Sequence, residues 1–266
     1  MSALEVQIHD GVATLTMNRP EARNALSTEM KEAFAAAVPA LAADPAVRAL
    51  VLTGANAAFC AGGDLRGMAE VRARMKIGDW RDRMREVQPW IKQLIELDKP
   101  LIAAVDGPAF GAGFSLALMA DFVLASPRAR FCLSFMRVGL VPDFAAMYTL
   151  PRVVGVQRAK ELMLSAREID AAEAQALGIV MEVHGSAALE ARALAIAQSL
   201  TNAAPAAVAL TKAALNVSLD SDRAGLFALE AASQAAAFAA PEPMQALDAM
   251  LARRAPPYTG FPKAES

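Results

Sequence analysis

The sequence predicts an α/β core that passes into a helical C-terminal region, and three observations carry that prediction. Short apolar, partly β-branched runs recur up to residue 183, among them residues 48–53, 101–105 and 179–183, and glycine, proline or Asp-Gly pairs punctuate them. Stretches with helical spacing separate these runs. From Ser186 onward the pattern is almost entirely alanine-rich helix. Strands with crossover helices, followed by helices alone, make an α/β core with a C-terminal helical subdomain.

Each element has its own signal. Val6, Ile8, Val12, Leu15 and Met17 alternate loosely about Asp10-Gly11, a hairpin signature. Residues 18–26 are polar and contain Pro20, so they read as a loop. Ser27 reads as the N-cap of a helix whose inner face carries Met30, Phe34, Val38 and Leu41 and which Asp44-Pro45 ends. Residues 48–53 then form a buried strand closing at Gly54, and residues 55–65 a glycine-bearing loop. Residues 66–97 read as helix with a break at Gly78; Arg72, Arg74, Arg81, Arg83 and Arg85, set among acids, read as a solvated face.

Residues 101–105 form a second buried strand, ended by Asp106-Gly107-Pro108. Gly111, Ala112 and Gly113 then open an apolar run with helical spacing up to Asp121. A glycine-rich bend feeding a buried helix leaves backbone N–H groups unpaired and aims them forward, a good place to hold developing negative charge. Further on, helices are expected over residues 156–164 and from Ile169-Asp170 to Gly178, and a strand over 179–183. Pro205, Ser221-Asp222 and Pro241-Glu242-Pro243 break the final helices.

Composition narrows the function. The chain has 266 residues, 55% hydrophobic and 20% charged, enough for a sizeable folded core. A net charge of −2 and a pI near 5.8 argue against nucleic acid and anionic membranes as partners. The longest uncharged core-like run, residues 107–120, is 14 residues, too short for a membrane span. Residues 1–10 carry Glu5, His9 and Asp10 and no secretion signal, so a cytoplasmic location is expected. Two cysteines, Cys60 and Cys132, and two histidines, His9 and His184, have no metal-ligand spacing, so no metal site is expected and the thiols read as buried core. The mean hydropathy of +0.31 comes from the alanine-rich helices, part of whose apolar surface suits an oligomer interface.

The chain lacks a nucleophile elbow, a P-loop and a complete dinucleotide-binding glycine motif. Between Glu96 and Glu161 the acids are Asp98, Asp106, Asp121 and Asp143. Asp106, in a turn, and Asp121, after a helix, read as structural hydrogen-bonders. Asp143 lies in L-V-P-D-F with Phe135, Met136 and Met147 nearby, and two readings stay open for it. It serves as an N-cap for the following helix, or its apolar surroundings raise its pKa from about 3.9 toward the range of a working base. Ser115 has no neighbouring base and reads as a hydroxyl lining a helix.

Four ordered motifs, M-N-R-P-E-A-R-N-A-L-S, L-V-L-T-G-A-N-A-A-F-C-A-G-G-D-L, K-P-L-I-A-A-V-D-G-P-A-F-G-A-G and I-D-A-A-E-A-Q-A-L-G-I-V, resemble those of the crotonase family, the enoyl-CoA hydratase/isomerase superfamily, over about residues 4–260. The resemblance implies a crotonase-like spiral of ββα units over residues 1–200 and a C-terminal helical trimerisation region over 201–266, forming one continuous family domain. It implies a homotrimer or homohexamer, although residues 240–245 depart from the acidic-glycine element usual there. It also implies an acyl-CoA substrate, with no cofactor beyond the CoA of the thioester itself.

By the same resemblance, the backbone N–H groups of Gly63 and Ala112 hold the thioester oxygen, an effect worth roughly 3 kcal/mol per donor. The loop from Arg19 to Leu26, with Arg23 and Ala25, and the segment from Ala61 to Leu65, with Asp64, resemble the family's CoA-holding elements, and Phe110, Gly113, Ser115 and Phe135 line the acyl site. Hydratases of the family place glutamates at the positions of Ser115 and Phe135, neither of which moves a proton here. G-L-V-P-D followed by L-P-R-V-V-G is similar to the G-L-x-P-[DE] element of isomerase-type members and puts the acid at Asp143. The implied activity is isomerisation of a 3-enoyl-CoA to a 2-enoyl-CoA through an enolate. The alternatives are hydration, thioester or carbon–carbon hydrolysis, or non-catalytic binding of CoA or a partner.

Overall fold

The computed structural model describes residues 2–72 and 76–264. β1 (Leu4–His9) and β2 (Val12–Met17) pair as an antiparallel hairpin around Asp10 and Gly11, whose φ values of 46° and 81° suit the tight turn. From β2 the pairing becomes parallel, through β3 (Ala49–Gly54), β4 (Leu101–Val105), β6 (Phe122–Ala125) and β9 (Glu182–Val183). The resulting six-stranded sheet has the order β1-β2-β3-β4-β6-β9. A second sheet holds β5 (Pro108–Phe110), β7 (Arg130–Cys132) and β8 (Ile169–Asp170), and bridges at Cys60–Ala109 and Leu26–Gly63 continue the same kind of pairing. Each turn of the chain therefore lays one strand in the large sheet, a short one in the small sheet, and then a helix. This is a spiral of ββα units.

Both faces of the large sheet are covered, which is why β4 is buried along its whole length and reads as an unbroken apolar run. On one side lies the main core. There α1 (Thr28–Ala43), capped by Ser27 Oγ accepting from the Met30 N–H at 3.2 Å, buries Met30, Phe34, Val38 and Leu41. Each such side chain contributes roughly 1.5–3 kcal/mol by leaving water. On the other side α7 (Ser186–Leu200) sets Leu189, Ala193, Ile196 and Leu200 against Val12, Val51, Ile102 and Leu124. α8 (Pro205–Val217), α9 (Arg223–Phe238) and α10 (Glu242–Leu251) follow, and the tail then returns to α7's side of the sheet. Phe261 meets Phe122 edge-on at 5.1 Å, and the Pro262 carbonyl accepts from Arg192 at 2.7 Å.

Several boundaries differ from the sequence expectation. α4 (Ala112–Ala117) is only six residues and does not reach Asp121, because the chain must reverse to start β6. Asp121 instead accepts from the Leu101 N–H at 2.8 Å and pairs with Lys212. The segment expected as one helix with a break at Gly78 is α2 (Leu65–Arg72) and α3 (Ile77–Ile95). Gly78 lies in the first turn of α3, where Asp79 accepts from the Lys76 N–H at 2.7 Å, and Arg74 lies outside the described residues. α5 (Ala146–Ser165) starts well before residue 156 and is interrupted at Gly155, with φ of 77°. Ile169-Asp170 is strand β8 rather than helix, and Asp170 caps α6 (Ala171–Ala176) by accepting from the Glu173 N–H. β9 is shorter than expected because the N–H groups of Ile179 and Val180 turn back to the Ala174 carbonyl.

Candidate active site

Three loops meet at the ends of β2, β3 and β4, and their backbones are bonded to one another. Asn24, fully buried with φ of 57°, donates from its amide to the carbonyls of Ala55 at 3.0 Å and Ala58 at 2.7 Å, and accepts from the Arg19 N–H at 2.9 Å. Arg19 donates to the Ala25 carbonyl at 3.0 Å and to Asp64 at 3.2 Å. The N–H of Ala61 reaches the Arg23 carbonyl at 2.9 Å and that of Leu26 the Gly62 carbonyl at 2.8 Å. The second loop is joined to the third by Cys60 N–H to Pro108 O at 3.0 Å and Phe110 N–H to Cys60 O at 2.9 Å.

That stitching fixes the two backbone donors. Among the described residues no acceptor takes the N–H of Gly63 or of Ala112. Gly62, with φ of 94°, packs so closely on the third loop that a Cβ there would lie 2.5 Å from the Phe110 carbonyl oxygen and 3.4 Å from the Ala112 nitrogen. A Cβ at Gly113 would overlap the Cys60 carbonyl oxygen. Glycine is required at both positions so that backbone can approach backbone. Ser115 is fully buried and its hydroxyl returns to the Gly111 carbonyl at 3.3 Å. Because α4 is so short, the anion-holding capacity rests on the N–H groups themselves rather than on a long helix dipole.

The candidate acid lies on a separate, looser segment. Phe135 is buried with its ring 3.9 Å from where a Gly111 Cβ would stand, and its carbonyl accepts from the Leu140 N–H at 3.0 Å. The loop that follows carries Asp143. The expectation that Asp143 caps the next helix is overturned: the N-cap of α5 is Ala145, and Asp143 Oδ1 is buried without a hydrogen-bond partner among the described residues. Burial pushes the Asp143 carboxyl up to about 6, with the ammonium of Lys31 pulling in the opposite direction. Phe144, beside it, meets Trp90 edge-on at 5.6 Å, and Trp90 stacks on Phe34 at 5.1 Å. A groove of about 1250 Å³ opens at Asp143, lined by Met84, Pro89, Ile91, Val141, Met147 and Val217 among others.

The remaining candidates are placed as follows. Arg23 is exposed, Ala25 buried, Ala61 and Phe110 half-buried, and Leu65 exposed at the start of α2. Asp64 accepts from the Gly67 N–H at 3.2 Å, which together with Arg19 holds its carboxyl below the usual range. Burial pushes the Cys60 thiol up to about 12, Asp106 is held by Ser126 and Arg128, and His184 faces Glu182 at 2.6 Å. Among the described residues no cluster of His, Cys, Asp and Glu has the arrangement of a metal site, and no single helix is long and apolar enough to cross a membrane. Sequence reasoning placed Arg19 and Asn24 in the CoA-holding loop without their bonds to the neighbouring loop, and it missed Lys31 and Met68, whose Sδ lies 3.4 Å from where a Gly63 Cβ would be. An asparagine just before an apolar pair in a proline-bearing loop is the signal that could have marked Asn24, since asparagine tolerates the left-handed conformation.

Stacked ββα turns, with free backbone donors on two stitched loops and a desolvated carboxyl facing a groove, define an enzyme of the crotonase class. Comparison with known proteins agrees. The enoyl-CoA hydratase/isomerase family model matches residues 7–261. A 1,2-epoxyphenylacetyl-CoA isomerase of Escherichia coli K12 is 34% identical, with 95% of this chain and 97% of that protein aligned. A 2,3-dehydroadipyl-CoA hydratase of the same organism is also 34% identical, over 98% and 100%. The crystal structure of an enoyl-CoA hydratase/isomerase from Cupriavidus metallidurans CH34 superposes with a TM-score of 0.95 at 50% identity, covering 100% of this chain and 99% of that one. The chain belongs to the enoyl-CoA hydratase/isomerase family, whose members act on acyl-CoA.

Proposed function

We propose that the protein is an acyl-CoA isomerase that shifts a double bond from the 3,4 to the 2,3 position of an enoyl thioester. The observation that carries this reading is the Asp143 carboxyl, pushed up to about 6, whose Oδ1 is buried and without a partner among the described residues, with Ser115 and Phe135 where hydratases of the family carry glutamates. Asp143 takes a proton from the α-carbon, the electrons pass to the thioester oxygen, and the same carboxyl returns the proton at the γ-carbon. One base suffices because the proton travels along one face of the dienolate. Gly63 and Ala112 donate to the enolate oxygen, whose charge develops in the transition state and is full in the dienolate.

Other features fit the same reading. The backbone around Arg23, Ala25, Ala61, Asp64 and Leu65 holds the CoA portion, and Phe110, Gly113 and Phe135 border the acyl group near the donors. Phe144 and the groove beyond Asp143 receive the rest of the chain. No cofactor is needed beyond the CoA of the substrate. Exposed Leu215, Leu219, Phe227, Phe238, Met250 and Leu251 on and around α8, α9 and α10 support assembly with further copies of the chain, as a homotrimer or homohexamer.

The test follows the absorbance of the conjugated thioester formed from a 3-enoyl-CoA. Asp143→Asn is expected to lose between 10²- and 10⁴-fold in kcat, the usual contribution of a positioned proton-transfer group. Equal rates in the two proteins would overturn the assignment. The relatives named hydratase favour a second reading, addition of water, which mass spectrometry separates because hydration adds the mass of water and isomerisation adds nothing.

A further inference from the structure

The groove at Asp143 has walls of two kinds, and nothing in the mechanism above uses the difference. One wall is the face of α3 made by Met84, Gln88, Ile91 and Ile95, which stand three or four residues apart and span about 16 Å at the ordinary helical rise. Another is the face of α8 that carries Asn216 and Val217. At the last turn of α3 these two walls are joined: the side-chain amide of Asn216 donates to the Ile95 carbonyl at 3.1 Å. Ile95 ends α3, so its carbonyl has no donor one turn further along the helix, and Asn216 supplies one. Asn216 is itself braced, because the Tyr148 hydroxyl of α5 donates to its main-chain carbonyl at 2.8 Å. The Tyr148 ring is covered by the Arg152 guanidinium at 3.5 Å, and Arg152 donates to both carboxylate oxygens of Asp220 at 2.8 and 2.7 Å.

We propose that Asn216 is a specificity-determining residue: its bridge from α8 to the end of α3 stops the groove beyond Asp143 and sets the longest straight acyl chain that the enzyme accepts. The inference rests on Asp143 being the base, since a carbon deprotonated by a carboxyl in the groove's lining must itself lie at the groove. Phe144 meets Trp90, which puts Asp143 near the level of Trp90 on α3, and the bridge at Ile95 is about 7–8 Å further along that helix. Ile91 lies between the two levels, and apolar contact there favours each added methylene. At the bridge that gain ends. A longer chain has to displace an amide tied to α3 by its side chain and to α5 by its main chain, and doing so leaves the Ile95 carbonyl without a partner. Met84 and Met147, elsewhere in the lining, have flexible side chains that yield to a ligand. The braced amide does not. The substrate class is therefore an acyl thioester with an apolar chain of limited length.

The experiment measures by calorimetry the binding of saturated straight-chain acyl-CoAs, from butanoyl to hexadecanoyl, to the whole chain as wild type, Asn216→Ala and Ile95→Phe. These thioesters carry no double bond to shift, so affinity is read apart from chemistry. In the wild type, affinity is expected to rise by about fourfold per methylene up to a limiting length and then to fall by about tenfold or more. Asn216→Ala should move that limit to longer chains, and affinity for chains that end short of the bridge should change by no more than about twofold. Ile95→Phe, which adds bulk at the same place, should move the limit to shorter chains, a shift that a merely loosened fold does not produce. Three results would overturn the inference: wild-type affinity independent of chain length, as when a second copy of the chain fills the groove; a limit at the same length in all three proteins; or an affinity lowered equally at every length in Asn216→Ala. Turnover of a 3-enoyl-CoA by Asp143→Asn is followed in parallel. A limit that moves while that variant keeps full turnover upholds the stop and overturns the base role, so the two readings fail separately.

Discussion

The loops that carry Gly63 and Ala112 and the loop that carries Asp143, donors and acid of the proposed isomerisation, are built in opposite ways. The first are joined by a ladder of backbone bonds, by the buried amide of Asn24 and by glycines that admit no side chain. The second has Gly139 in open space with φ of 71°, Phe144 and Ala145 in the left-handed region at 50° and 60°, exposed Leu140 and Val141, and a carboxyl oxygen with no donor. Stabilising an oxyanion needs donors placed to a fraction of an ångström before the reaction begins, and stitched backbone supplies that. A carboxyl that must exchange a proton is instead kept short of hydrogen bonds, since each one would lower its basicity. The donors are thus over-determined, and the acid sits in a segment that holds backbone strain.

The sharpest break in this contrast comes from Gly113→Ala. The added methyl overlaps the Cys60 carbonyl, which backbone cannot yield, and thermal unfolding should show a loss of about 4 kcal/mol or more together with loss of turnover. Asn24→Ala is expected to cost about 2–4 kcal/mol by denaturant unfolding, because the carbonyls of Ala55 and Ala58 and the Arg19 N–H lose their partner.

Asp143→Asn goes the other way and should stabilise the fold. The folded carboxyl titrates at about 6 against an ordinary 3.8, so its protonated form favours the folded state below pH 3.8, and that contribution is lost as pH rises through 6. About two units at 1.36 kcal/mol each set a ceiling near 3 kcal/mol, and partial exposure brings the expected gain at pH 7.5 to about 1–3 kcal/mol. Unfolding measured at pH 4 should show almost no difference between the two proteins, and equal stability at both pH values would contradict the buried, unpartnered state of the acid. The smallest effect is expected for Gly139→Ala, about 1 kcal/mol from its positive φ alone, with turnover little changed.

Much of the stitched half could be read in the chain, and less of the strained half. The hairpin about Asp10-Gly11, the Ser27 cap with its stripe of Met30, Phe34, Val38 and Leu41, and the buried strand 101–105 are local features, and periodicity and capping chemistry report them directly. α4 came out shorter and β9 reduced to two residues because tertiary demands decided where those elements stop: the reversal into β6, and the return of Ile179 and Val180 to Ala174. The acid was visible as a lone carboxylate among apolar residues, but whether it caps a helix depends on φ and ψ at Ala145, which no residue pattern encoded. Lys31 and Asn24 were silent for a related reason. The carbonyls of Ala55 and Ala58 that Asn24 bonds, and the charges that act on Lys31, lie on other segments, and only the spiral brings those segments together.

Trp90 has an optical consequence. It is one of two tryptophans, its indole is sandwiched between Phe34 and the edge of Phe144, and Phe144 is the residue after Asp143. The chain therefore carries a native fluorophore beside the loop that bears the acid. Replacing Trp80 with phenylalanine would leave a single emitter, and a shift in its wavelength or quenching on titration with a thioester would report how far that loop moves when the groove fills, without any label or turnover.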